Sequence, residues 1–110
     1  MVQPVVSYED FQKLDIRVVR ITSVEKVDKS EKLLKLIVNT GEDERVVLAG
    51  IARDYDPDEL IGRKVVAVLN MEPRRILGIE SKGMLLAAEE DALVSLLVPD
   101  KDVSEGSRIG

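Results

Sequence analysis

The chain reads as all-β with short helices, a barrel followed by extra C-terminal strands, and three observations predict this class. Its apolar residues fall in short runs rich in valine and isoleucine, and from Val19 to Val27 they largely alternate with polar ones, the period of a half-buried strand. Helix-start signals stand out only at Ser7 and Asp56, and each opens a brief stretch. A length of 110 residues with 45% hydrophobic content is the size of one compact core.

Taken in order, Ser7-Tyr-Glu-Asp10 has the form of a capping box, with Ser7 as N-cap, Asp10 at the third helical position, and Phe11 and Leu14 expected to face inward. Ile16 to Val27 suits a long, bent first strand. Asp28-Lys-Ser-Glu31 connects it to a second strand, Leu33 to Val38, and Gly41-Glu-Asp43 is a hairpin turn into a third, Arg45 to Ala49. Asp56-Pro-Asp-Glu59 sets an acid at the N-cap, proline at the first helical position and glutamate at the third, so Pro57 to Ile61 should form one turn ended by Gly62. Lys64 to Asn70 is a fourth strand, Met71 to Ser81 a loop or hairpin arm, and Gly83 to Ala88 a fifth strand. Three strands in meander order, a helical turn and two more strands is the order of a five-stranded OB-fold barrel. In that fold the face of strands two and three and the loop between strands four and five hold oligonucleotides or oligosaccharides.

One domain over 1–110 is expected, with the barrel at about 14–88 and extensions at 1–13 and 89–110. Leu93 to Val98 is one more apolar run, and short all-apolar strands need cover on both faces. The extensions are therefore read as a homodimer interface; the alternative is a hairpin that caps the barrel.

Formal net charge is −5, which by itself disfavours a polyanionic partner. Its distribution is uneven. Between Arg63 and Ala88 stand five basic and two acidic residues, whereas residues 42–44, 54–59 and 89–91 carry most of the negative excess. The chain has no cysteine and no histidine, which excludes disulfides, thiol nucleophiles, zinc-finger spacings and imidazole proton shuttles. The acidic clusters lack the spacing of carboxylate metal sites. No catalytic residue, metal or cofactor is expected, and the chain is read as not an enzyme. No apolar run approaches the length of a membrane span, and Met1-Val-Gln-Pro lacks the pattern of a signal peptide, so a cytoplasmic location with no membrane partner is expected. Tyr8, Phe11 and Tyr55 are the only aromatic residues. Barrels that hold single strands stack bases on aromatic platforms; without one, recognition of a folded shape through phosphates and 2′-hydroxyls remains.

The segment Asn70-Met-Glu-Pro-Arg-Arg-Ile-Leu-Gly-Ile-Glu-Ser-Lys-Gly-Met-Leu-Leu-Ala-Ala88 resembles the signature of the tRNA-binding domain family. Supporting matches lie in Leu14-Asp-Ile-Arg-Val18, Lys32-Leu-Leu-Lys-Leu-Ile-Val38, Ala49-Gly-Ile51 and Tyr55-Asp-Pro-Asp-Glu-Leu-Ile-Gly62, so the resemblance spans nearly the whole chain. That family includes C-terminal domains of methionyl-tRNA synthetases, stand-alone subunits and secretion-chaperone relatives. The resemblance implies a non-catalytic OB barrel, often dimeric, that binds tRNA and serves a methionyl-tRNA synthetase catalytic subunit or acts alone. By position it assigns RNA-facing roles to Asn70, Ser81, Gly83 and Met84, and basic contacts to Arg74, Arg75 and Lys82. Two departures concern the upstream face: Val27-Asp28 stands where many members have His-Pro, and Ala49 where many have serine.

Each site residue also has a plain structural reading. Arg74 and Arg75, after Pro73, offer two guanidiniums on a stiffened turn that can fork onto phosphates, or a solvated turn. Ser81 and Gly83 suit either an RNA contact or an ordinary tight turn, in which Gly83 takes φ above zero or allows close approach. Met84 suits core packing, or a polarizable contact for a base or ribose. Asn70 either caps the turn or reads an RNA group. Lys26, Lys29, Lys32 and Lys35 interleave with acids as a balanced surface, of which Lys32 is carried as a candidate contact that widens the basic patch. A protein-interaction, dimerisation or secretion-chaperone-like module, with RNA contact incidental, is the alternative reading.

Overall fold

In the computed structural model, which describes residues 2–110, the elements are α1 (Tyr8–Gln12), β1 (Ile16–Lys26), β2 (Leu34–Asn39), β3 (Glu44–Ala49), α2 (Pro57–Leu60), β4 (Lys64–Val68), β5 (Arg74–Ile76), β6 (Ile79–Ser81), β7 (Met84–Leu85), β8 (Ala87–Glu90) and β9 (Leu93–Leu96). The main sheet is antiparallel in the order β3-β2-β1-β4-β7. Residues 81–84 then return to β3. The Lys82 N–H donates to the Val46 carbonyl at 2.9 Å, and the Leu48 N–H donates to Ser81 Oγ at 3.0 Å. These contacts nearly close a five-stranded barrel, in the strand order that the OB reading requires.

The length of β1 is what allows closure. Residues 16–20 pair with β4 and residues 20–26 with β2, and the register shifts between Ile21 and Ser23. Thr22 is the extra residue of this bulge, and its hydroxyl donates to the Ile37 carbonyl at 3.1 Å. A bulge sharpens twist and bend, so one strand serves both sides of the barrel. Inside lie Val19, Ile21, Leu34, Leu36, Val38, Val47, Val65 and Ala67, with Leu60 of α2 plugging one end. The alternation of β2 appears as a strict buried/half-buried pattern.

β4 is buried on both faces. Val65 and Ala67 point into the barrel, while Val66 and Val68 join Ile16 in a second cluster under Leu86 and Ile109. The C-terminal tail adds itself to the free edge of β1: Val18 N–H to Ser107 carbonyl at 2.9 Å, Gly106 N–H to Val18 carbonyl at 2.8 Å and Ile109 N–H to Ile16 carbonyl at 2.9 Å. Cover for this apolar strand thus comes from the chain's own tail.

Residues 83–88, expected as one strand, divide between two sheets. β7 pairs with β4, then β8 turns away to form a hairpin with β9. The physical reason is a change of partner at Leu86, whose N–H goes to Val66 while its carbonyl accepts from Leu97. The hairpin caps the barrel by burying Leu96 in the core, and leaves Leu93 exposed, with Leu97 and Val98 just beyond it also exposed.

α1 has the expected N-cap, Ser7 Oγ accepting from the Asp10 N–H at 3.0 Å, but Asp10 pairs with Lys13 at 2.9 Å. Phe11 and Leu14 do not face inward; they are 39% and 38% exposed, because the five-residue helix lies on the surface with none of its residues buried. α2 has the expected cap, with the Asp56 N–H donating to Glu59 at 3.0 Å and Gly62 at φ +88 just past its end. Among the described residues no helix is long and apolar enough to cross a membrane.

Candidate nucleic-acid interface

The arm between β4 and β7 is a small hairpin, β5 against β6, with pairs Arg74↔Ser81, Arg75↔Glu80 and Ile76↔Ile79. Its turn is Leu77-Gly78, with φ +51 and +80, the two positive values of a tight hairpin turn. Strand alternation then sorts the arm into two faces. Arg74, Ile76, Ile79 and Ser81 share one, and Ser81 is buried; Arg75 and Glu80 share the other, exposed one. Arg74 and Arg75 therefore do not act side by side on a turn: they sit on a strand and point to opposite faces.

Under the inner face is a hollow of about 60 Å³ lined by Leu48, Met71, Glu72, Arg74, Ser81, Gly83 and Met84. Four of the expected site residues meet here. Ser81 is its fixed floor: its hydroxyl accepts from the Leu48 N–H at 3.0 Å and donates to the Gly83 carbonyl at 3.1 Å. Gly83 is not in a left-handed conformation, so close approach is its role; a Cβ there would stand 3.2 Å from Val47 Cγ2. Met84 opens β7 yet is 41% exposed rather than core, and Met71 opposite is 44% exposed. Arg74 has no ion-pair partner among the described residues.

Lys82 lies in an adjacent depression with Asp43, Arg45, Leu69, Met71 and Pro73, and its ammonium is 3.7 Å from Glu80. Arg45 is a residue the sequence reading missed. Its guanidinium donates to the Leu69 carbonyl at 2.7 Å and stands 3.3 Å from Asp43, tying β3 to the root of the arm. Leu48 and Met71 were missed as well. Met71 sits beside Asn70 and had a local signal; Arg45 and Leu48 had none, since their partners lie 24 to 37 residues away.

Asn70 is not in the hollow. Its Oδ1 accepts from the Asp15 N–H at 2.8 Å and its Nδ2 donates to the Lys13 carbonyl at 2.6 Å, so the amide ties the end of β4 to the segment after α1. Lys32 is exposed in the β1–β2 connection and lines neither depression. Its neighbours Lys26 and Lys35 do approach the arm, sharing a depression with Glu25, Asp28, Leu77 and Ile79 at its tip.

A barrel whose strand-four-to-five arm overhangs a small hollow and displays arginine and lysine has the architecture of an OB-type domain. Comparison with known proteins makes the assignment specific: residues 16–108 match the family described as "Putative tRNA binding domain", and the chain belongs to that family. A methionine–tRNA ligase of Archaeoglobus fulgidus is 51% identical over 104 residues, covering 94% of this chain and 16% of that protein; the chain spans less than a fifth of the curated relatives it matches. Among solved structures, a MetRS related protein from Pyrococcus horikoshii superposes with a TM-score of 0.92 at 35% identity, covering 98% of this chain and 100% of the other. The chaperone CsaA of Bacillus anthracis str. Ames gives a TM-score of 0.90 at 31% identity, covering 97% and 100%.

Proposed function

We propose that this chain is a non-catalytic, stand-alone tRNA-binding module. It recognises folded tRNA by shape, works as a cytoplasmic homodimer, and assists a methionyl-tRNA synthetase catalytic subunit in trans. The observation that carries the reading is the arm: Arg74 and Arg75 stand on its hairpin and Lys82 follows directly where it returns to the barrel, in a chain of the tRNA-binding domain family. Arg75 and Lys82 on the outside suit phosphates, and Arg74 reaches inward. No aromatic ring lines the hollow or the depression beside it. Tyr55 is committed to the hairpin cap, its hydroxyl accepting from the Leu96 N–H at 3.0 Å. Backbone and 2′-hydroxyl contacts to a preformed RNA suit such a surface. On a chain of net charge −5 the contact should be weak and salt-sensitive, and two copies in a dimer would supply avidity.

Band shifts with folded tRNA and an unstructured RNA of equal length test the reading. Tighter binding of tRNA is expected, and equal affinity would overturn shape recognition. Arg75→Ala should lower the slope of log affinity against log salt by about 1. The role in trans is tested by adding the chain to a synthetase that lacks such a domain: its KM for tRNA should fall.

The similarity to a chaperone, together with the exposed Leu93, Leu97 and Val98, favours a second reading as a protein-docking module. Protein partners that survive both nuclease and high salt would favour it over the first.

A further inference from the structure

A domain that reads only phosphates and riboses has no use for the hollow under the arm. Its walls are Leu48, Met71 and Met84, its floor is Ser81, and Arg74 and Glu72 stand at the rim. At about 60 Å³ it has room for roughly two water molecules at about 30 Å³ each, enough to admit the edge of one ring but not a chain segment. A wider groove of about 340 Å³ continues past Leu48, Arg74 and Met84 toward Gly50, Ala87 and Glu89, and gives an approach to it.

Three features select the occupant. Two exposed thioethers face the opening, and sulfur makes favourable contact with aromatic rings. The Arg74 guanidinium is unpaired among the described residues, and a planar cation stacks on bases. Glu72, at the same rim, repels a phosphate but accepts hydrogen bonds from donors along a base edge. The Ser81 hydroxyl already donates to the Gly83 carbonyl, so the floor offers no free donor. An uncharged, flat, polarizable group fits these walls, while its phosphate would rest outside on Arg75 or Lys82.

We propose that the hollow takes the edge of one unpaired nucleobase whose remaining ring lies over the adjoining groove, so that the domain reads a looped-out or terminal nucleotide in addition to the RNA backbone; this rests on the RNA-binding reading above. Thioethers and a guanidinium here serve in place of the aromatic platform that the chain lacks.

The test uses two RNA hairpins with the same stem, one fully paired and one carrying a single unpaired nucleotide, beside folded tRNA. The intact protein should bind the bulged hairpin about five- to tenfold more tightly, the lower range for stacking one base. Met84→Ala should erase that difference, so that the bulged hairpin binds no more tightly than the paired one; Met71→Ala is an independent second variant. Both side chains lie outside the buried core, and thermal melting checks that each variant folds. If tRNA binds but the two hairpins bind equally, or if the difference survives both substitutions, the assignment is overturned, and an apolar side chain of a protein partner becomes the occupant to test. If neither tRNA nor either hairpin binds, the RNA-binding reading itself fails.

Discussion

Asn70 and Ser81 each accept one hydrogen bond and donate one within the chain. Asn70 serves Asp15 and Lys13, more than 50 residues upstream in sequence, and so fixes where the arm leaves the barrel. Asn70→Ala should cost about 1–2 kcal/mol in urea unfolding, two ordinary hydrogen bonds' worth. Ser81→Ala strands the buried Leu48 N–H and should cost about 1–3 kcal/mol, the desolvation of an unpaired donor. A neutral result for either would return that residue to the ligand. The sequence left both readings open for these residues, because an amide or hydroxyl next to a turn has the same local signature whether it braces the backbone or reads an RNA. Arg45 carried no signature, since a strand arginine becomes a tie only when Leu69 is brought beside it.

Among the elements, the β2–β3 turn couples stability to pH. Thr40 donates to the Asp43 carboxylate at 2.7 Å and holds it below its ordinary value of 3.8, with Arg45 and Lys82 adding attraction. Lys64 does the same for Asp102 at 2.6 Å. A carboxyl lowered in the folded state binds its proton more weakly than in the unfolded chain. Its contribution is therefore complete above the unfolded value and is lost as pH falls from there toward the lower folded value. Urea-unfolding stability should decline below about pH 4, and less steeply in Asp43→Asn; equal decline in both proteins would remove the Thr40–Asp43 contribution. The turn itself was legible from Gly41-Glu-Asp43, as were both helix caps and the limits of the first four strands to within a residue or two. The two faces of β5 were not, because residues 71–81 were open between loop and arm, and only a paired strand sends Arg74 and Arg75 apart.

For the whole molecule, the apolar surface left over is concentrated on the extensions. Val2, Val5, Val6 and Tyr8 at one end of the chain and Leu93, Leu97 and Val98 near the other are exposed, Val5 almost completely at 99%. This supports the proposed homodimer better than the cover needed by β4, which the chain's own tail provides. Sedimentation equilibrium should give a dimer, and Val98→Asp combined with Val5→Asp should give a folded monomer with lower tRNA affinity, through lost avidity. A dimer that withstands both substitutions would place the interface elsewhere.

The sequence by itself determined the all-β class, the element order, the turns and caps, and the basic stretch of residues 63–88, because each depends on neighbours within a few positions: alternation, cap chemistry, local charge. Only the tertiary structure decided that residues 83–88 serve two sheets, that Phe11 and Leu14 lie on the surface, and that Leu48 and Met71 meet Arg74 and Met84 around one hollow. Those outcomes depend on which distant strand supplies the partner, β3 for residues 81–83 and β4 for Leu86, and the closing of a barrel sets that choice rather than any local pattern.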